Sequence, residues 1–190
     1  SRSSAASDVY KRQMYLCKAG ADGDKRVQLL GSGSILRESI EAQKLLAADW
    51  GVQADVWSCT SFNELTREGQ DVARWNLLHP LEAQRTSFVA QQLGKSTGPV
   101  VASTDYMKNY AEQIRAFIPA GRSYTVLGTD GFGRSDFRYR LREHFEVNRH
   151  YITVAALSAL ADEGKLPKAK VAEAIANYGI QTEKINPLHA

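Results

Sequence analysis

Short apolar runs and longer amphipathic segments take turns along this chain, and that alternation limits the folds open to it. "RVQLL" at 26–30, "VQADVWS" at 52–58, "GPVVAS" at 98–103 and "SYTVLG" at 123–128 read as strands. A helical period separates each from the next. Within residues 35–50, Ile35, Leu36, Ile40, Leu46, Ala47 and Trp50 share one arc of about 140° at 100° per residue, and Gly51 stops that helix. Ser61 followed three residues later by Glu64 fits a capping box. The helix it opens is expected to break near Gly69, to resume in "DVARWNLL", and to end at His79-Pro80. Residues 81–97 carry no clear period. "TDYMKNYAEQIRAFI" at 104–118 reads as one helix, capped by Thr104 or Asp105 and ended at Pro119. Three more helical segments follow, at 136–145, 151–164 and 167–179, the last with Pro167 at its start and Gly179 at its end.

Strands that alternate with helices form parallel sheets covered on both faces. An Asp-Gly pair lies in "AGADGD", between the strand-like runs 15–18 and 26–30, and predicts a hairpin that adds one antiparallel edge strand. The expected fold is therefore α/β: a mixed, mostly parallel open sheet flanked by helices, with extra C-terminal helices. One domain over 14–190 is expected, with 147–190 as its helical tail. The head "SRSSAASDVYKRQ", residues 1–13, has no hydrophobic period and reads as a disordered or foreign extension.

Charge narrows the partners. The net charge is +3, and the head alone carries +2 of it through Arg2, Lys11, Arg12 and Asp8. A body so close to neutral does not advertise nucleic acid or an anionic membrane. No apolar run approaches the ~20 residues that cross a bilayer. Cys17 and Cys59 lie far apart with no CxxC spacing, as expected of reduced thiols.

Several segments are candidates for chemistry. "GSGS" at 31–34 sits between a strand and a helix, where a dinucleotide fingerprint would sit, and Asp55 is placed to serve as a ribose-binding acid at the next strand's end. Leu36 stands where the third glycine belongs, so Gly31 and Gly33 also read as a tight turn. His79, His144, His150 and His189 are scattered, with no nucleophile elbow or metal spacing near them. Arg134, Arg138, Arg140, Arg142 and Arg149 form a basic stretch. It is either a docking surface for an acidic partner or a solvated helix with local pairs such as Arg142 with Glu146. "GTDGFGRSDFR" at 128–138 follows a buried strand at its carboxyl end, where open α/β sheets bind ligands. Gly131 and Gly133 can take positive φ, Asp130 and Arg134 are close enough to pair, and Ser135 or Asp136 can cap the next helix. Chemistry alone leaves this a binding loop, an interdomain contact or a glycine-rich turn.

Four long stretches carry a resemblance: "VQLLGSGSILRESIEAQKLLAADWGV", "VWSCTSFNELTREGQDVARWNLLHP", "VASTDYMKNYAEQIRAFIPA" and "YTVLGTDGFGRSD". Together they resemble the C-terminal domain of the homodimeric bacterial pyruvate dehydrogenase components, thiamine-diphosphate enzymes of the transketolase-like family. The resemblance covers residues 14–190, and the head does not share it. Phe137 and Tyr139 stand where the family tends to a small residue and a glutamate. The resemblance implies a parent that decarboxylates pyruvate and reductively acetylates the lipoyl group of dihydrolipoyl acetyltransferase in the bacterial cytoplasm. Thiamine diphosphate and Mg²⁺ are held in such parents by a GDG…N segment of an earlier domain, which this chain lacks, so no cofactor is expected here. Implied partners are the parent's N-terminal and middle domains, the second subunit of a homodimer, and the acetyltransferase. The candidate interdomain or active-site-rim loop is then Asp130, Gly131, Gly133, Arg134, Ser135 and Asp136. A stand-alone nucleotide- or small-anion-binding protein and a non-catalytic assembly module are the alternatives.

Overall fold

The computed structural model describes residues 13–190; the expectations for the head at 1–12 lie outside the described residues. Among the described residues, five strands form one sheet: β1 (Met14–Lys18), β2 (Arg26–Gly31), β3 (Gln53–Cys59), β4 (Val100–Ser103) and β5 (Tyr124–Leu127). Their spatial order is β1-β3-β2-β4-β5. β2, β3, β4 and β5 pair in parallel, and β1 pairs antiparallel with β3. The sheet is mixed and mostly parallel, as the alternating pattern requires.

The expected hairpin does not form. β1 runs beside β3, not β2, because both edges of β2 are occupied, by β3 on one side and β4 on the other. β2 is buried along nearly its whole length, whereas β1 exposes four of its five residues. The Asp-Gly segment instead belongs to a crossing that Asp55 ties down. That carboxylate accepts from the Gly20 amide at 2.9 Å, from Arg26 at 2.7 Å and from Gln28 at 2.9 Å.

Alternate residues of each strand feed two cores. Val27 and Leu29 of β2, Ala54 and Val56 of β3, and Val101 of β4 face one side. There they meet α1 (Leu36–Trp50), α6 (Arg149–Asp162) and α7 (Lys168–Asn177). Leu30, Trp57, Val100 and Val126 face the other side. That face is covered by α2 (Phe62–Leu78), α3 (Phe88–Leu93) and α4 (Lys108–Glu112). The short α5 (Arg138–His144) follows β5. α6 belongs to the first core through Ile152, Ala156, Leu157 and Leu160, all fully buried, so it packs as an integral layer of the domain.

Two helices differ from expectation. α2 runs unbroken through Gly69; the glycine is there because Phe117 packs against it, and a Cβ would lie 2.5 Å from that ring. Its start is as expected, with the Glu64 amide donating to Ser61 Oγ at 3.3 Å. The long helix expected at 104–118 is cut to α4 and a 3₁₀ turn at Arg115–Phe117. Thr104 and Asp105 do not cap it: the Thr104 amide continues the sheet by donating to Leu127 O, and Asp105 turns away to another loop. The last helix begins after Pro167 and ends before Gly179 at φ 62°, as read from the sequence.

Candidate functional site

Three loops meet at the carboxyl ends of the parallel strands: 31–35 after β2, 104–107 after β4, and 128–137 after β5. Hydrogen bonds lock the first two together. The Ser32 amide donates to Ser103 O at 3.0 Å, and the hydroxyls of Ser39 and Ser103 lie 3.0 Å apart. Asp105 accepts from the Ser34 amide at 3.3 Å. The second and third loops are tied by Thr129, whose amide donates to Tyr106 O at 2.9 Å and whose hydroxyl donates to Asp105 O at 2.8 Å.

This network explains the "GSGS" turn from within. Gly33 has φ 55°, and a Cβ there would lie 2.6 Å from the Asp105 carboxylate. At Gly31 a Cβ would press on Leu36 and Ser39, both at 2.8 Å. An anion of the chain's own, Asp105, already takes the Ser34 amide at the start of the helical turn. Asp55 lies near the start of β3, not at its end, and its oxygens are bonded to Gly20, Arg26 and Gln28. It is no ribose ligand in waiting.

In the 128–138 loop, Gly131 alone of the two expected glycines has positive φ, at 109°; Gly133 does not. A Cβ on Gly131 would run into the carbonyl of Pro187, in the C-terminal 3₁₀ turn Pro187–His189. Asp130 does not pair with Arg134. It accepts from the Lys108 amide at 3.1 Å, with the Lys108 ammonium 3.7 Å away, and so anchors the start of α4. Neither Ser135 nor Asp136 caps α5, whose N-cap is Phe137; among the described residues Asp136 accepts only from the adjoining Phe137 amide. Ser135 and Asp136 line an open pocket of about 440 Å³ with Arg134, Arg140 and Lys184. Gly131, Gly133 and Arg134 line a second, more apolar cleft of about 470 Å³.

Sequence reading missed the group that fixes the arginines. Glu38 is buried on the first turn of α1 and accepts from Arg142 at 2.8 Å, from Arg149 Nε at 3.0 Å and from the Arg149 amide at 3.0 Å. Burial pushes its carboxyl up, but the Arg149 hydrogen bonds and the charges of Arg149 and Arg142 outweigh burial and hold it below the usual glutamate value. Arg142 therefore does not pair with Glu146, which meets Lys184 at 3.1 Å instead. Arg134 and Arg138 have no hydrogen bond or ion pair among the described residues.

Two of the histidines sit in aromatic stacks, and His144 lines the 440 Å³ pocket. His79 stacks on Trp75 with centroids 4.4 Å apart, and His150 stacks on Tyr178 at 4.7 Å. Burial, and then the Arg149 charge, lowers the His150 pKa below its usual value. Both cysteines are free thiols; Cys59 is buried, which pushes its pKa far up, and Cys17 is exposed.

Residues 14–148 match the family described as the transketolase-like TK C-terminal domain. The chain belongs to this family. Its relatives agree. A pyruvate dehydrogenase E1 component of Pseudomonas aeruginosa is 62% identical over 184 residues, which is 97% of this chain and 21% of the relative. One from Haemophilus influenzae is 60% identical over 90% of this chain and 19% of its own length. The chain thus spans about a fifth of the curated relatives it matches. Among solved structures, a split-gene transketolase described as an inactive β4 tetramer aligns with a TM-score of 0.53 at 17% identity, covering 78% of this chain and 42% of that one. At that identity the likeness shows the fold alone, and it is the mixed sheet described above.

A valine at Gly131 tests how the loop is held. Positive φ costs a β-branched side chain about 1–3 kcal/mol, and the Pro187 carbonyl leaves it no room. Gly131→Val is expected to lower Tm by roughly 5 °C and to speed hydrogen exchange at the amides of 188–190. Gly133→Val, where a Cβ meets open space at ordinary φ, is expected to do neither. Equal behaviour of the two variants would refute this account of the loop.

Proposed function

We propose that this chain is the C-terminal domain of a thiamine-diphosphate-dependent pyruvate dehydrogenase E1 component, and that it supports the parent's dimer and interdomain structure without contributing to the chemistry. The identity of 62% across nearly the whole chain carries this reading. The parent would decarboxylate pyruvate and reductively acetylate the lipoyl group of dihydrolipoyl acetyltransferase in the bacterial cytoplasm.

The residues at the strand ends do not fit a Mg²⁺-diphosphate. Such a site needs several hard oxygen ligands around one ion. Here Asp105 is bonded to Ser34 and Asp130 to Lys108. No group of three or more His, Cys, Asp or Glu able to hold a metal occurs among the described residues. No helix among them is long and apolar enough to cross a membrane.

The 128–138 loop suits an interdomain or active-site-rim corner. Phe132 and Phe137 are 78% and 74% exposed, and Tyr106 and Met107 on the neighbouring loop are exposed as well. Apolar side chains on a loop this well anchored suit cover by the preceding domains of the parent, which the longer relatives have room for.

Titrating the purified chain with thiamine diphosphate and Mg²⁺ in a calorimeter tests the division of labour. No binding at millimolar cofactor and no pyruvate decarboxylation above background are expected. Micromolar binding would overturn the reading. The gene upstream of Ser1 provides an independent check: an in-frame stretch of several hundred residues with a GDG…N segment is expected.

A further inference from the structure

We propose that the cleft behind the 128–138 loop binds a small amphipathic anion: an organic phosphate or carboxylate with an apolar body. The inference does not rest on the parent's chemistry. It rests on where the cleft lies, on its charge and on its floor.

The cleft lies at the carboxyl ends of the parallel strands, where open α/β sheets bind ligands. Ser34 and Ile35 after β2 and Asp105 after β4, two loops already tied together, form one side of it. The 128–138 loop and α5 form the other. Its volume, about 470 Å³, falls within the usual range for small-molecule sites.

The cleft carries uncompensated positive charge. Arg134, Arg138 and Arg142 line it, and Asp105 is the sole carboxylate in the lining among the described residues. Arg142 is already paired with Glu38 at 2.8 Å. Asp105 accepts from the Ser34 amide. Arg134 and Arg138 remain, two guanidiniums without an intramolecular acceptor among the described residues. A guanidinium presents paired donors that match the oxygens of a phosphate or carboxylate.

The floor is apolar. Ile35 and Val147 are 1% exposed members of the core beneath the sheet, and Leu141 and Phe145 flank them half-buried. A hydrated inorganic ion would satisfy the arginines and leave the accessible parts of Leu141 and Phe145 in water. A ring or short chain joined to the anion would cover them. Gly131 and Gly133 line the mouth without side chains to fill it, and the exposed Phe132 and Phe137 are not part of the lining. The loop can thus present its aromatics outward while its backbone borders the cleft.

Nuclear magnetic resonance titration of the ¹⁵N- and methyl-labelled chain tests the proposal, with phenyl phosphate, benzoate, inorganic phosphate and benzyl alcohol as probes. Saturable shifts are expected with phenyl phosphate, benzoate or both, at the amides of 131–134 and the methyls of Leu141 and Val147. Which of the two binds identifies the preferred head group. Inorganic phosphate is expected to bind about tenfold more weakly or worse, and the neutral alcohol not to saturate. The double variant Arg134→Gln/Arg138→Gln is expected to weaken binding at least about tenfold with an unchanged Tm, since neither side chain holds the fold. Arg140→Gln, outside the cleft, is expected to bind as the parent sequence does. Unchanged affinity in the double variant, shifts centred on other residues, no saturation with either aromatic anion, or inorganic phosphate binding as tightly as phenyl phosphate would each overturn the proposal.

Discussion

Glu38→Ala is expected to destabilise the domain by about 3 kcal/mol and to lower its Tm by roughly 6–12 °C. The carboxylate is 4% exposed and joins three elements: its own α1, the Arg142 side chain of α5, and both the side chain and the first amide of α6 at Arg149. Removing it strips two guanidiniums and a helix-start amide of their acceptor at once. The two arginines are 21% and 40% exposed and can turn to water, so the effect falls at the lower end of what a broken buried pair costs. The pH dependence follows from the lowered pKa. A carboxyl held below the ordinary value near 4.5 contributes stability above that value and loses it as pH falls through the folded-state pKa. The parent sequence should therefore lose stability faster than Glu38→Gln as pH drops from about 5 to 3, and the two Tm curves should converge. A Tm for Glu38→Ala within 2 °C of the parent sequence at pH 7 would show that the clamp carries no load.

Glu38 also shows where sequence reading stops. Its partners lie 104 and 111 residues further along the chain, and no local period hints at them. The arginines themselves stood out as a basic stretch, but the nearest acid at helical spacing, Glu146, was the wrong partner. The alternation of strands and helices was legible because burial on both faces leaves apolar-rich runs such as "VQLL" and "PVVA". Pairing was not. An Asp-Gly turn reports a local reversal, whereas the neighbour of β1 is decided by which edge of the sheet is still free. Gly69 misled for a related reason. Glycine in a helical pattern reads as a break, yet here it serves a contact with Phe117 that only the packed fold reveals. Within the 128–138 loop, positive φ at Gly131 was legible from residue type. That Asp130 would turn to Lys108 and leave Arg134 free was not, because the geometry of the α4 loop decides it.

Gly98→Ala should be the more damaging of two otherwise matched substitutions, by roughly 3 kcal/mol or more beyond its control. Gly98 has φ 86°, and Gly164, between α6 and α7, has φ 71°. An alanine at either position carries about 1 kcal/mol of left-handed backbone strain. A Cβ on Gly164 meets nothing within 4 Å. On Gly98 it would overlap the Arg26 carbonyl outright. That carbonyl belongs to the first residue of β2, and the segment carrying Gly98 is bound to the same strand: the Gln28 amide donates to Pro99 O at 2.9 Å, and its side chain donates to Thr97 O at 3.0 Å. The conflict is between two backbones, so no side-chain rotation relieves it. The chain has to lift the start of β4 from β2. Gly164→Ala is expected to lower Tm by about 2–4 °C and Gly98→Ala by 8 °C or more. Slowly exchanging amides at the start of β4 are expected to become fast in the second variant alone. Equal Tm shifts for the two would mean that φ strain is the whole effect and that the strands tolerate a methyl group between them.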